Sequence, residues 1–548
     1  MFRLSISIIA LMFVTSCQNK EKADLILVNG NIYTLDDSMH VAESMVIRDG
    51  KVLAVGNSTD ILNQFDAKEV VDLDRKSVYP GFIDAHCHFF GLGEGLIRWA
   101  ELRNTTSMSD VLKRLKQFTT QNPQEWILGR GWDQNDWVKK DFPDCNSLDK
   151  AFPETPVALV RIDGHAMLVN SAAMRKAGIT ADTQVEGGEI LLKNNKPTGI
   201  LIDNAMQLVK DIIPKFPLSL VPMALEAAEK KCFSYGLTMV ADAGLDAVIV
   251  ENIDSLQLNG LLKIRMDAWL NPTQENLDKY ITKDVYQTEK LRIGAIKLYA
   301  DGALGSRGAL LKKPYSDAAK TTGLEVDKLD KLIHWAKIAY DNGYQINVHA
   351  IGDSGVENVI IAYATFLKSG NDRRWRIEHA QIVDSSEMKL FGKYSIIPSV
   401  QPTHATSDMY WAEHRLGNNR IKNSYAYAEL LVQNNWMPLG TDFPIEEVNP
   451  ILTFYAAVVR KDLKNFPSNG FQTENALTRE QALRGMTIWA SKASFMEKIN
   501  GSLEKGKVAD FVILSGDLMT VKEKDIPRIK VLATFIDGQK VYPSESSR

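Results

Sequence analysis

Between Pro80 and Phe495, eight short apolar runs alternate with stretches of helical period, and this alternation constrains the fold more than any other feature of the chain. The runs are GFIDAH, LTMVADAG, LKIRMDAW, IGAIKLYADG, YQINVHAIGD, RWRIEHAQ, SIIPSVQP and WMPLGTDFP. Amphipathic helices are expected at Ser107 to Thr119, Leu220 to Ser234, Val326 to Asn342, Ser354 to Lys368 and Arg479 to Ser491. Repeated strand–helix units build a parallel sheet. Eight of them predict an α/β fold of the closed (β/α)8 TIM-barrel type, with its chemistry at the C-terminal ends of the strands. The span exceeds the roughly 250 residues typical of such a barrel, so an insertion is required. Residues from about 104 to 213 supply it, with a hairpin around Lys193 to Lys196.

The flanks have a different character. ADLILVNGNIYTLD, ESMVIRDGKVLAVG and VVDLDRKSVYPG precede the barrel, and GSLEKGKVADFVILSGD and KVLATFIDGQKVY follow it. These are short β-rich runs divided by Asn-Gly and Asp-Gly turn signals. Residues 17–79 and 496–548 are therefore expected to fold together as one small β-sandwich, split by the barrel of residues 80–495. Met1-Phe2-Arg3 is a short basic start, and the apolar run after it, Leu4 to Val14, is too short for an ordinary membrane helix and reads as the core of a secretory signal peptide. Val14-Thr15-Ser16-Cys17 after it resembles a bacterial lipobox, which predicts removal of residues 1–16 and lipidation of Cys17. An exported lipoprotein of the cell envelope, periplasmic or outer-membrane anchored, is the expectation. Export permits disulfides, but Cys87, Cys145 and Cys232 are an odd set.

Charge excludes one class of partner. With 64 Lys and Arg against 68 Asp and Glu, the chain has no general polyanion-binding surface, so no nucleic-acid partner is expected. The membrane enters only through the lipid, and a homodimer is left open.

Histidine is scarce, with nine in 548 residues, and its placement is informative. His86 and His88 end the first barrel run as His-Cys-His; residues i and i+2 of a strand share a side, so both imidazoles can meet one metal ion. His349 ends NVHAIGD, His379 ends RIEHAQ, and Asp442 ends PLGTDFP. Four histidines and one acid, delivered by separate strand tips, make a nitrogen- and oxygen-rich site suited to zinc or a similar cation. Lys297, inside IGAIKLYADG, is the odd member. Buried beside cations, it must face away, lose its proton or be converted to an anion.

PGFIDAHCH, KLYADGALGSRGA, NVHAIGD, RIEHAQ, GTDFP, SLEKGKVADFVIL and RIDGHAMLVNS together resemble the amidohydrolase superfamily, in its amidohydrolase-3 branch of N-acyl amino acid and N-substituted formamide hydrolases. The resemblance runs from about Ala23 to Tyr542. It implies that His86 and His88 hold the more buried metal, that His349 and His379 hold a second, and that Asp442 both ligates and handles protons. It further implies two zinc ions per chain bridged by a carboxylated Lys297. Without that carbamate, a single ion on His86, His88, His349 and Asp442 is the alternative.

The implied reaction is hydrolysis of a C–N, amide-type bond of a small molecule by a metal-activated hydroxide, with Asp442 taking up the proton and returning it to the leaving amine. His404, in VQPTHA, and His165, in RIDGHA, are further candidate catalytic residues, and Arg161, Asp163 and Arg307 candidate substrate contacts. Asp163 and His165 serve equally well to orient ligands or hold the insertion, and an exposed arginine such as Arg307 more often makes a structural or solvated ion pair. A deaminase or cyclic amidase on the same cage is the alternative enzyme, and a catalytically inactive ligand-binding lipoprotein the alternative from another class.

Overall fold

The structure is a computed structural model that describes residues 20–121, 124–161, 166–185 and 188–544. Cys17, Asp163 and His165 lie outside the described residues. No helix among those described is long and apolar enough to cross a membrane.

The central sheet is parallel. Strands Phe82–Cys87, Leu237–Leu245, Arg265–Leu270, Leu291–Tyr299, Gln345–Ala350, Arg376–His379 and Ile397–Ser399 pair in chain order. We call them the first to seventh barrel strands. Phe82–Cys87 and Arg265–Leu270 are buried at every position, as expected of parallel strands covered on both faces. Helices Val221–Phe233, Leu329–Asn342 and Asp353–Ala364 lie within or close to the expected helical stretches. The expected helix at Arg479 to Ser491 is instead two, Arg479–Gly485 and Ile488–Ala493, because Thr487 between them leaves helical geometry at φ −140°, ψ −101°.

The eighth run is not a regular strand, yet it closes the barrel. Gly440 N donates to Val400 O at 3.0 Å on one side, and Ala85 N donates to Leu439 O and Asp442 N to His86 O, at 3.2 and 2.8 Å, on the other. Side chains complete the seam: Asp84 Oδ1 accepts from Thr441 N at 3.0 Å, and Asp84 Oδ2 from Thr441 Oγ1 at 2.6 Å. A Cβ on Gly440 would stand 2.7 Å from His86 N and 2.9 Å from His86 O. Only glycine permits this approach of one backbone to the other. Asp442 then turns out of the seam with φ 63°.

The insertion is a six-stranded sheet spanning Trp99–Glu101 to Lys196–Asp203, including the hairpin Gly188–Lys193 with Lys196–Asp203. Alternate residues face opposite sides, so Leu128, Ala158, Met167 and Leu201 build one core and Ile127, Leu159, Leu168 and Ile200 another. The flanking segments form two further sheets. Ser77–Pro80 from the front of the chain pairs antiparallel with Phe511–Leu514 from the back, and both sheets contribute to one core with Leu27, Met45, Ile47, Phe511 and Phe535. This sandwich is tied to the barrel by the fully buried Arg265, whose Nε and Nη2 donate to the two oxygens of Asp510 at 2.7 and 3.1 Å. Cys87, Cys145 and Cys232 are buried free thiols.

Candidate metal centre

Six side chains from five elements converge at the C-terminal mouth of the barrel. His86 and His88 come from the end of the first strand, and Asp442 from the eighth segment pinned against it. Asp442 Oδ1 stands 3.3 Å from His88 Nε2 and 3.6 Å from His86 Nε2. Lys297 Nζ, on the fourth strand, lies 3.2 Å from His86 Nε2. His379 ends the sixth strand, its ring centroid 5.1 Å from that of His86, and His404, on helix Pro402–Asp408, stacks on His379 at 5.6 Å. His404 Nε2 is 3.7 Å from Asp442 Oδ2. Two triads have ligand atoms close enough to hold one ion each, His86–His88–Asp442 and His379–His404–Asp442, with Asp442 common to both.

Local structure explains these positions. His88 is the residue on which helix Phe89–Arg98 starts, and Asp242 of the second strand accepts from its first two amides, Phe89 N and Phe90 N, at 2.9 and 3.0 Å. A carboxylate at a helix N-terminus satisfies donors that have no partner within the helix. His88 Nδ1 lies 3.1 Å from Ala243 O, which leaves Nε2 facing Asp442. His379 and Asp442 both have positive φ, 71° and 63°. For non-glycine residues that conformation costs of order 1–3 kcal/mol, and here it swings two donors off their strands toward a shared point.

His349 is less directly placed. Its ring is 4.5 Å from that of His379, but its Nε2 is directed at Asp301, 3.6 Å away. Asp301 is itself fixed by the amides of Ile351, Gly352 and Leu310. The 3.6 Å separation is too long for a hydrogen bond, and Nε2 of His349 is buried with no hydrogen-bond partner among the described residues.

The electrostatics suit a cation. Burial, reinforced by the Lys297 charge, holds His86 well below its ordinary pKa and His349 at about 3, and burial with the neighbouring His349 and His404 does the same to His379. These rings are neutral at pH 7, the form that ligates. Burial pushes Asp442 up, but His88, His404 and Lys297 around it bring it below the ordinary carboxylate value. Burial brings Lys297 down to about 8 against the opposing pull of Glu378 and Asp442. Among the described residues His379 Nδ1, His404 Nε2 and Asp442 Oδ1 are buried with no hydrogen-bond partner. Orphaned buried polar atoms are rare without a ligand or water to satisfy them, and the donor set of imidazole and carboxylate fits a divalent transition metal.

Comparison with known proteins agrees. The amidohydrolase family model matches residues 69–542. The chain belongs to the amidohydrolase family. This amidohydrolase is similar to Protein LONG AFTER FAR-RED 3 of Arabidopsis thaliana, 34% identical over 541 residues, 95% of this chain and 92% of the other. It is also similar to the N-substituted formamide deformylase of Arthrobacter pascens, 26% identical over 549 residues, 96% and 99% of the two chains. Among solved structures it matches an uncharacterized metal-dependent hydrolase from Pyrococcus furiosus with a TM-score of 0.76 and 28% identity, covering 90% of this chain and all of that one. The amidohydrolase is a metal-dependent hydrolase with a TIM-like barrel.

Two of the residues considered as substrate contacts are already engaged. Arg307 donates to both oxygens of Asp317 at 3.1 and 2.9 Å. Arg161 donates to Asp133 Oδ1 at 2.6 Å and to Gln134 Oε1 at 2.9 Å. The structure also brings forward residues that the sequence does not single out. Asp84, Asp242 and Glu378 are buried carboxylates, each touching a histidine of the centre or the backbone beside one. The available signal was an acid inside an apolar barrel run.

Proposed function

We propose that this amidohydrolase hydrolyses a C–N bond of a small amide, with two divalent ions, zinc in the first instance, that a carboxylated Lys297 would help to hold. The observation that carries the reading is Asp442 Oδ1, buried, without a hydrogen-bond partner and within 3.6 Å of the Nε2 atoms of both His86 and His88. His86, His88 and Asp442 would hold one ion; His379, with Asp442 and either His349 or His404, would hold the other. Such ions supply a water acidic enough to ionise near neutral pH and polarise a carbonyl oxygen.

The chain's own residues do the rest. Asp442, ionised, accepts the proton of the attacking water and delivers it to the departing nitrogen. The carbonyl carbon gains a C–O bond, the C–N bond breaks, and the products are a carboxylic acid and an amine. His404, whose Nε2 is unpartnered among the described residues, would hydrogen-bond the oxygen on which charge develops if His349 and not His404 completes the second ion's ligands. Lys297 would join CO2 through a new N–C bond at Nζ and release one proton, and the resulting anion would help to offset the charge of the ions. Arg161 and Arg307 would contact substrate only by leaving Asp133, Gln134 and Asp317.

The name of the deformylase relative directs the first substrates. N-substituted formamides and N-acyl amino acids, tested with the zinc-loaded chain, are expected to release amine in proportion to bound metal. A metal-loaded chain that turns over no amide, formamide or cyclic amide would overturn the reading in favour of a binding protein, and ammonia release from an amino-purine would favour the deaminase. Envelope anchoring through Cys17 is part of the proposal. Cys17→Ser should move the protein from the membrane to the soluble fraction and abolish labelling by palmitate, and an unchanged distribution would refute the anchor.

A further inference from the structure

We infer that Glu378 is a positioning residue for His86, and that its carboxylate decides which imidazole nitrogen faces the metal centre. The inference rests on His86 being a ligand, as proposed above, and concerns how that ligand is held ready.

Two groups with one-way hydrogen bonding bracket the His86 ring. Glu378 Oε2 lies 2.6 Å from Nδ1, and Lys297 Nζ lies 3.2 Å from Nε2. A carboxylate accepts and a lysine N–H donates. The tautomer that satisfies both carries its hydrogen on Nδ1 and its lone pair on Nε2. Asp442 Oδ1 lies 3.6 Å from the same nitrogen.

The fold supplies Glu378 from an unexpected place. It precedes His379 on the sixth strand, where successive side chains ordinarily point to opposite faces. His379, however, leaves the strand at φ 71°. Consequently both residues reach His86: Glu378 through the hydrogen bond, and His379 ring to ring at 5.1 Å. Glu378 and His86 are at most 1% exposed. Burying a carboxylate is costly unless it is paired, and Oε1 of Glu378 has no hydrogen-bond partner among the described residues. The bond of Oε2 to His86 Nδ1, with the Ser399 hydroxyl and the charges of Arg376 and Lys297 nearby, offsets that burial. Partners of this kind orient ligating imidazoles generally, and their loss costs 10- to 100-fold in metal affinity.

The test is Glu378→Gln, which keeps size and shape but offers His86 an amide that can donate as well as accept, so both tautomers become available. Zinc alone is the probe, titrated into metal-free full-length chain against a chromophoric chelator. Affinity is expected to fall 10- to 100-fold with the melting temperature of the metal-free chain little changed, and Glu378→Asp should recover part of the loss. Nitrogen-15 shifts of His86 in the metal-free wild type should report hydrogen on Nδ1, and in Glu378→Gln a mixture. A purely structural role would lower the melting temperature without changing the tautomer. Wild-type hydrogen on Nε2, or zinc affinity of Glu378→Gln within twofold of wild type, would overturn the inference. Should that variant not fold, the wild-type tautomer decides alone. A wild type that binds no zinc would remove the proposed function, and the tautomer measurement would still decide whether Glu378 fixes the His86 ring.

Discussion

Thr441 Oγ1 donates to Asp84 Oδ2 at 2.6 Å, joining the first barrel strand to the irregular eighth segment one residue before Asp442 and two before His86. The bond lies in the wall of the barrel, where Asp84 is 2% exposed and burial pushes its carboxyl up to about 7. Both oxygens of Asp84 are used, one on Thr441 Oγ1 and the other on the amides of Thr441 and His86. The seam therefore sets the spacing between two proposed metal ligands, whatever else it contributes to stability.

Thr441→Val removes that hydroxyl without changing volume. It leaves a buried carboxylate oxygen unsatisfied, at a cost of about 1.5–3 kcal/mol. Urea denaturation of the metal-free chain should show this loss. Zinc affinity should fall in the same variant, because Asp442 loses its neighbour's anchor. Unchanged affinity would mean that the backbone bonds of Gly440 and Asp442 hold the seam unaided.

Lys297 gives a pH dependence with a definite sign. Its amine is the form that joins CO2, and burial brings its pKa down to about 8 from 10.5. Held at constant dissolved CO2, the metal-free chain should take up carbon-13-labelled CO2 increasingly from pH 7 to 9, with half-maximal uptake near pH 8 and none in Lys297→Met. The folded chain binds fewer protons than the unfolded one between pH 8 and 10.5, so this residue's contribution to stability rises with pH across that window and is lost as pH falls through 8. Uptake that begins only above pH 10 would show an ordinary lysine and remove the case for a bridging carbamate.

Asp442→Asn separates ligation from proton transfer. Asparagine keeps one oxygen that can face the centre but cannot accept the proton of water. Turnover should fall by about 10²- to 10⁴-fold, the contribution typical of a positioned acid–base group, while metal content measured on the purified chain stays largely intact. Near-normal turnover would assign proton transfer elsewhere, with His404 next in line.

The barrel and the cluster differ in how far the sequence revealed them. Strand–helix alternation sufficed for the seven regular strands because burial on both faces leaves long apolar runs. The eighth run reads like the others, but Gly440, Thr441 and the positive φ of Asp442 make it a seam rather than a strand. His86 and His88 announce themselves by two-residue spacing. Glu378 does not, because its partner His86 is 292 positions away and only the closed barrel brings them together. Arg307 shows the converse: an arginine near the mouth looks available until Asp317, ten residues on, folds back to pair with it.

Gly440 tests whether the seam governs the chemistry as well as the fold. A methyl group there would sit 2.7 Å from His86 N, 2.9 Å from His86 O and 3.0 Å from Asp84 Oδ1, the first two closer than real contacts come and the third at their tight edge. Two of the three atoms are backbone and cannot rotate aside, so the eighth segment must move away from the first strand. Gly440→Ala should therefore cost about 1–3 kcal/mol in urea denaturation. It should also lengthen the 3.3 and 3.6 Å approaches of Asp442 to His88 and His86. Loss of zinc affinity and turnover should exceed the losses in a control of equal destabilisation placed in the β-sandwich, such as Ile47→Val. Equal losses in the two variants would mean that the centre responds to global stability and not to the spacing set at this seam.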